Sequence, residues 1–272
     1  MSKLQNQEKV GIIAGGGQFP NLIAREAKAA GKAVIICGFH GHTAPDLAAE
    51  ADRFTMLHLG QMNRLIDYFR KNQVTQLCLA GTIDKPRALD LRPDLLAARL
   101  VFSLKKKGDD SLLRAILGEL EQQGFTILSA ADLAPSLRSP PGNLTRTRPD
   151  PQTLADIEFA WPIASTLGSY DIGQCLVVRQ GMVMAVECLE GTDATLKRGA
   201  ELGGAGCVAV KLSKPGQDRR VDLPAVGLTT IQLLADHKYA ALAIQARQTL
   251  LFDRQASLAL ADRHHIAVLA LP

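Results

Sequence analysis

Between Val210 and Thr230 four cations, Lys211, Lys214, Arg219 and Arg220, stand with two carboxylates, Asp218 and Asp222. Pro215, Gly216, Pro224 and Gly227 interrupt the segment, so no regular helix can spread these charges over a solvated face. Cations suit phosphate oxygens, and carboxylates among them suit a divalent metal or an activated water. Phosphoester or pyrophosphate chemistry needs both; an exposed loop of mutually paired charges is the structural alternative. Upstream, Asp171 and Gln174 precede a hairpin and Glu187, Glu190 and Asp193 follow it. Carboxylates gathered at one hairpin end must be solvated, paired or metal-bound, because several buried anions repel. The cations of 211–220 are their natural partners. An acidic group facing a basic one suits metal-dependent phosphoryl or nucleotidyl transfer. A serine or cysteine triad is disfavoured: there is no nucleophile elbow, and the histidines are scattered, with His40, His42, His264 and His265 read as structural or exposed.

A second candidate site is the run Gly15-Gly16-Gly17, which follows an apolar strand and precedes a helix. Glycines there admit a nucleotide or phosphate at the helix N-terminus, or serve only a tight turn. The dinucleotide fingerprint is incomplete, since Pro20 stands where its third glycine belongs and Gly38-Phe39 ends the second strand without an acidic residue. A nicotinamide oxidoreductase is therefore disfavoured. Thr82 and Lys85 follow the third expected strand at the end where α/β sheets bind ligands, which adds them to the candidates.

These residues must be held by a framework, and the pattern supplies one. Strands are expected at Val10–Ala14, Ala33–Cys37, Gln76–Ala80 and Thr126–Leu128, with helices at Asn21–Ala30, Gln61–Asn72 and Asp109–Gln123. That alternation implies a parallel sheet covered by helices. Residues 135–151, with five prolines, read as a linker. Beyond it, Asp150 and Pro151 open a helix to about Leu167. A hairpin follows at Cys175–Val178 and Val183–Cys188, then a helix at Thr192–Leu202 and a strand at Cys207–Leu212. Thr230–His237 and Arg254–His264 are expected helices, Ala241–Ala246 and Ala267–Ala270 expected strands. The reading is α/β in both halves: domain 1–134, linker 135–151 and catalytic domain 152–272.

The composition is globular: 272 residues, 47% hydrophobic and 21% charged, with a net charge of +4. Only 4% of residues are aromatic, which leaves little for base stacking and argues against nucleic acid. Residues 1–9 lack the apolar core of a signal peptide, and no apolar run reaches membrane-span length, so a cytoplasmic protein is expected. Cys37, Cys78, Cys175, Cys188 and Cys207 are widely spaced among apolar residues and read as reduced core thiols.

At these residues the chain resembles the UDP-2,3-diacylglucosamine pyrophosphatases of the lipid A pathway that are unrelated to the calcineurin-like phosphoesterases. The matching pieces are Gly11–Gly17, Gly108–Arg114, Asp171–Gln174, Ala185–Asp193 and Lys214–Pro224. The resemblance implies a Rossmann-like N-terminal domain with a parallel sheet and a second α/β domain, with the lipid between them. It implies Mg2+- or Mn2+-dependent hydrolysis of UDP-2,3-diacylglucosamine to 2,3-diacylglucosamine 1-phosphate and UMP. Asp222 matches the family's catalytic aspartate; Ala225, Leu228 and Arg220 depart from its pattern without removing a carboxylate.

Joined to the residue reading, this makes Asp222, Asp218, Lys214 and Arg219 the catalytic candidates. Asp222, Glu190 and Asp193 are the candidate metal ligands. Gly15, Gly16, Gly17, Thr82, Lys85, Asp171, Gln174, Gly191 and Thr192 are the candidate substrate contacts. Two acyl chains need an apolar groove, for which the helix Thr153–Leu167 is available. The expected partners are the UDP-linked lipid and, transiently, the inner-membrane surface; the oligomeric state is left open, a homodimer included. The alternative from another class is a non-catalytic lipid or nucleotide carrier.

Overall fold

The computed structural model describes residues 7–83, 92–103, 109–214, 218, 220 and 223–272. The chain divides into two compact units at Ala134/Pro135. The first contains, in order, β1 (Lys9–Ala14), α1 (Phe19–Ala29), β2 (Ala33–Phe39), β3 (Arg53–Leu57), α2 (Met62–Lys71), β4 (Gln76–Ala80), α3 (Leu95–Ser103), α4 (Asp109–Gln122), β5 (Thr126–Leu128) and α5 (Ala130–Leu133). Among the described residues its strands form a five-stranded sheet in the order β3-β2-β1-β4-β5, with every neighbouring pair parallel. β2 is buried along its whole length, as expected of a parallel strand covered on both faces. The order reverses between β1 and β4, the switch point beside which open α/β sheets take ligands.

The second unit contains β6 (Gly142–Asn143), α6 (Pro151–Ser169), β7 (Cys175–Arg179), β8 (Met182–Val186), α7 (Thr192–Gly203), β9 (Val208–Lys211), β10 (Ala225–Val226), α8 (Leu228–Asp236), β11 (Ala241–Gln245), β12 (Leu250–Leu251), α9 (Arg254–Arg263) and β13 (Ala267–Leu271). Six of its strands form one mixed sheet, β6-β13-β11-β9-β7-β8, and β10 pairs with β12 apart from it. β9, β11 and β13 run parallel; β7 and β8 close one side as an antiparallel hairpin and β6 covers the other. Alternate strand residues point to opposite faces. Ile157, Ala160 and Ala164 of α6 pack on one face against Leu176, Val178, Val208 and Val210. Residues of α7, α8 and α9 cover the other, on Cys175, Val177, Ala209 and Leu242.

Two local devices fix this unit. Asp150 caps α6, its Oδ1 accepting from the Thr153 N–H at 2.7 Å, as the sequence anticipates. Asp156, buried on α6, accepts from the backbone N–H groups of Gln180 and Gly181, each at 2.8 Å, and so clamps the hairpin turn to the helix.

The proline-rich segment read as a linker is built into the second unit. Gly142 and Asn143 pair with Ala270 and Leu269, the Ser139 N–H donates to the Thr249 carbonyl, and the Leu144 N–H donates to that of Val268. Asp262 accepts from the backbone N–H groups of Arg146 and Thr147. The segment lacks period because side chains and a two-residue strand, rather than a long element, satisfy its backbone. The cysteine reading also needs correction: Cys37, Cys78, Cys175 and Cys207 are buried, but Cys188 is exposed.

Candidate active site

Strand register gathers three of the sequence motifs at one end of the second sheet. β7 runs antiparallel to β9, and Cys175, its first residue, lies opposite Lys211, the last residue of β9. Leu176 lies opposite Val186, the last residue of β8. The turn Asp171–Gln174, the exit Glu187–Thr192 and the charged segment after Lys211 must therefore meet at the carboxyl end of β9, where α/β sheets place ligands.

The side chains confirm the meeting. Lys214 Nζ lies 2.7 Å from Asp171 Oδ1, and the Leu212 N–H donates to the Gln174 carbonyl at 2.9 Å. The Gln174 N–H donates to Glu187 Oε2 at 3.3 Å, and Thr192 Oγ1 donates to Glu187 Oε1 at 3.1 Å. Lys211 Nζ donates to Thr192 Oγ1 and to the Ala225 carbonyl, each at 3.1 Å. Gly173 permits this closeness, because a Cβ there would fall 2.0 Å from the Glu187 carbonyl oxygen. Lys211 and Glu187 are the central members of the network; the sequence places both in its charged clusters but gives neither a catalytic, metal-binding or substrate-binding role. The available signal was Lys211 itself, a cation ending the apolar run Val208-Ala209-Val210. It is only 9% exposed, and no carboxylate among the described residues forms an ion pair with it.

The remaining candidates divide. Asp218 faces Arg220, whose guanidinium grips it with contacts of 2.6 and 2.8 Å; this part of the segment is the paired-charge arrangement that the sequence left as the alternative. Glu190 accepts from the Cys188 N–H and from Thr195 Oγ1, each at 3.2 Å, and pairs with Arg198. Its own backbone N–H and the Arg198 guanidinium hold its carboxyl below the ordinary range. Gly191 and Thr192 cap and open α7, and Asp193 is exposed in its first turn. Among the described residues no three His, Cys, Asp or Glu side chains come together as a metal site. Asp222, Arg219 and Lys85 lie outside the described residues. Cys175, beside Lys211, is no nucleophile: burial pushes its thiol up to about 12, against the opposing pull of the Lys211 charge.

In the first unit the glycine run meets Thr82, but not as a phosphate cradle. The Gly15 N–H donates to the Ala80 carbonyl at 2.8 Å, and Gly16 and Thr82 exchange backbone bonds of 2.7 and 3.2 Å. Two of the three N–H groups expected to face a ligand are thus spent within the chain. A Cβ on Gly15 would stand 2.4 Å from the Thr82 carbonyl oxygen, so this glycine serves the close approach of two loops. Gly17 differs: its φ is +81° and no atom lies within 4 Å of where its Cβ would point. It is the glycine of the run whose surroundings leave room for a ligand.

Fold and site define a two-domain α/β protein whose second domain collects cations, carboxylates and backbone donors at the carboxyl end of its sheet. The chain belongs to the LpxI family: the model of the LpxI N-terminal domain matches residues 9–137 and that of the LpxI C-terminal domain matches residues 140–269. It is 36% identical, over 97% of each chain, to the UDP-2,3-diacylglucosamine pyrophosphatase LpxI of Caulobacter vibrioides. Among solved structures, a biotin carboxylase domain of a thermophilic 2-oxoglutarate carboxylase matches 63% of this chain and 34% of its own, at 12% identity and a TM-score of 0.29. Glycinamide-RNase-transformylase T from Mycobacterium tuberculosis matches 66% of this chain and 44% of its own, at 16% identity and a TM-score of 0.23. Likenesses this slight say nothing further about the chain.

Proposed function

We propose that the chain hydrolyses UDP-2,3-diacylglucosamine to 2,3-diacylglucosamine 1-phosphate and UMP by attack of water on the α-phosphorus, a step of lipid A biosynthesis. The observation that carries this reading is the convergence of Asp171–Gln174, Glu187–Thr192 and Lys211–Lys214 at one sheet end, in a chain 36% identical to a pyrophosphatase of that name. Lys214 and Arg219 neutralise the pyrophosphate, and Asp222 takes the proton from the attacking water. Lys211, fixed by Thr192, adds a buried positive charge whose field favours the anionic transition state. A non-catalytic carrier would need the cations but gain nothing from Asp222 and Glu187 beside a phosphate.

Mg2+ or Mn2+ belongs to the proposal as the hard cation that shields pyrophosphate charge. The described carboxylates do not supply its cage, since Glu190 is turned to Arg198 and Asp218 to Arg220. Its ligands would have to centre on Asp222. The substrate is a membrane lipid, so the protein works at the inner-membrane surface without spanning it. No helix of the described residues is long and apolar enough to cross a membrane.

The test is incubation of the purified protein with UDP-2,3-diacylglucosamine and magnesium, followed by separation of the products. Release of UMP together with the lipid 1-phosphate is expected. Binding of the lipid without UMP would establish the carrier instead.

A further inference from the structure

Helix α3 carries an apolar stripe that the catalytic reading does not use. Leu95 and Phe102 are each 89% exposed and Val101 is 54% exposed. Leu95, Arg99 and Phe102 are spaced i, i+4 and i+7, so they share one face; Arg99 is exposed as well. The opposite side is anchored. Ala97 is buried, and α3 lies against α2 and α4. Asp94 caps the helix by accepting from the Ala97 N–H at 3.0 Å and also takes the Asn63 N–H at the start of α2 at 2.7 Å. The stripe is therefore presented from a fixed base.

Single exposed apolar residues are ordinary, but two fully presented large ones beside a third on one helix mark an interaction surface. Charge identifies the partner. Residues 92–107 contain five cations (Arg92, Arg99, Lys105, Lys106, Lys107) and one carboxylate, Asp94, whose oxygens are occupied by the two N–H groups just described. An apolar stripe crossed by a cation, in a cation-rich stretch of sequence, fits the boundary of an anionic bilayer: the apolar side chains enter the acyl edge while Arg99 meets lipid phosphates. We propose that α3, through Leu95, Arg99, Val101 and Phe102, docks this protein on an anionic membrane surface. This rests on the proposed lipid substrate and names the surface that brings the enzyme to it.

The experiment is co-flotation of the full-length protein with phosphatidylcholine vesicles that contain about a quarter phosphatidylglycerol, and with phosphatidylcholine alone. Wild type should float with the anionic vesicles, less so in high salt, and the double variant Leu95→Ser/Phe102→Ser should bind about tenfold or more weakly. UMP release from substrate dispersed in detergent micelles, measured on both proteins, should be equal, because no altered residue belongs to the catalytic set. An unchanged circular dichroism spectrum and melting temperature would show that the double variant folds. Flotation of the variant equal to wild type would overturn the proposal. So would sedimentation showing a wild-type dimer that the double variant splits, since the face would then belong to a second copy. Absence of UMP from wild type in micelles would defeat the pyrophosphatase reading while leaving the flotation result to decide docking on its own.

Discussion

Lys214 Nζ lies 2.7 Å from Asp171 Oδ1, and the pair ties the charged segment after β9 to the turn that enters β7. The two ends are unequal: Lys214 is 22% exposed and Asp171 73%, so the carboxylate is largely hydrated and easily exchanged for a stronger anion. On the proposed reading Lys214 leaves Asp171 for the pyrophosphate. Lys214→Ala should then lower kcat/KM by about tenfold to a hundredfold, the scale of one charge-assisted contact. Asp171→Ala should change the unfolding free energy by less than about 1 kcal/mol, as for other exposed pairs. Steady-state kinetics and thermal melts of both variants check this, and unaltered kinetics for Lys214→Ala would remove it from the site.

Asp222→Asn should leave a folded protein that binds its lipid but turns over at least about a hundredfold more slowly, as expected for loss of a general base. Single-turnover release of UMP measures it. Near-normal turnover would transfer the role to another carboxylate, with Glu187 the first to examine.

Activity should require Mg2+ or Mn2+ and should vanish in excess chelator while the circular dichroism spectrum is retained, because no His or Cys cluster among the described residues invites zinc. Full turnover in chelator would leave Lys211, Lys214 and Arg219 to shield the pyrophosphate without an ion.

Asp156→Ala should destabilise the second unit by about 2–4 kcal/mol, since it orphans the N–H groups of Gln180 and Gly181 beside a buried helix face. Denaturant titration reads the loss. A change within experimental scatter would mean that water replaces the carboxylate at the hairpin.

Acid should release the segment between β6 and α6, which Asp262 holds through Arg146 and Thr147. Burial raises the Asp262 carboxyl, but the N–H groups of Thr147 and Arg146 and the Arg146 guanidinium overcome it, so the net shift is downward. A depressed carboxylate contributes stability above its unfolded value, about pH 4, and loses it as pH falls through the folded value. The difference in melting temperature between wild type and Asp262→Asn should be constant near neutrality and shrink in acid. A difference that grew as pH fell would contradict the assignment.

The sequence exposed the elements more readily than their use. Gln76–Ala80 and Thr126–Leu128 are strands at the expected bounds, because short apolar runs between turn signals have few other readings in an α/β chain. β3 and α3 were not foreseen. β3 is a partly buried edge strand of mixed character, and α3 is apolar on its exposed side, so neither shows the usual period. Around the site, residue types revealed the three converging segments, but only register could show that they share one sheet end. Glycine was the least legible of all. Gly15 and Gly173 are required by approaching carbonyl oxygens from distant residues, contacts that no local spacing encodes.

The pairing of β6 with β13 sets where this protein can be cut. Pro151, with its capping aspartate, looks like a natural start for an isolated second half, yet a fragment beginning there would lack Gly142 and Asn143. The Ala267–Leu271 strand, largely buried in the intact chain, would then present an open apolar edge, which is a template for intermolecular strand addition. A fragment beginning at Pro135 keeps that edge sealed. The same few residues that look like a tether thus guard the domain against self-association.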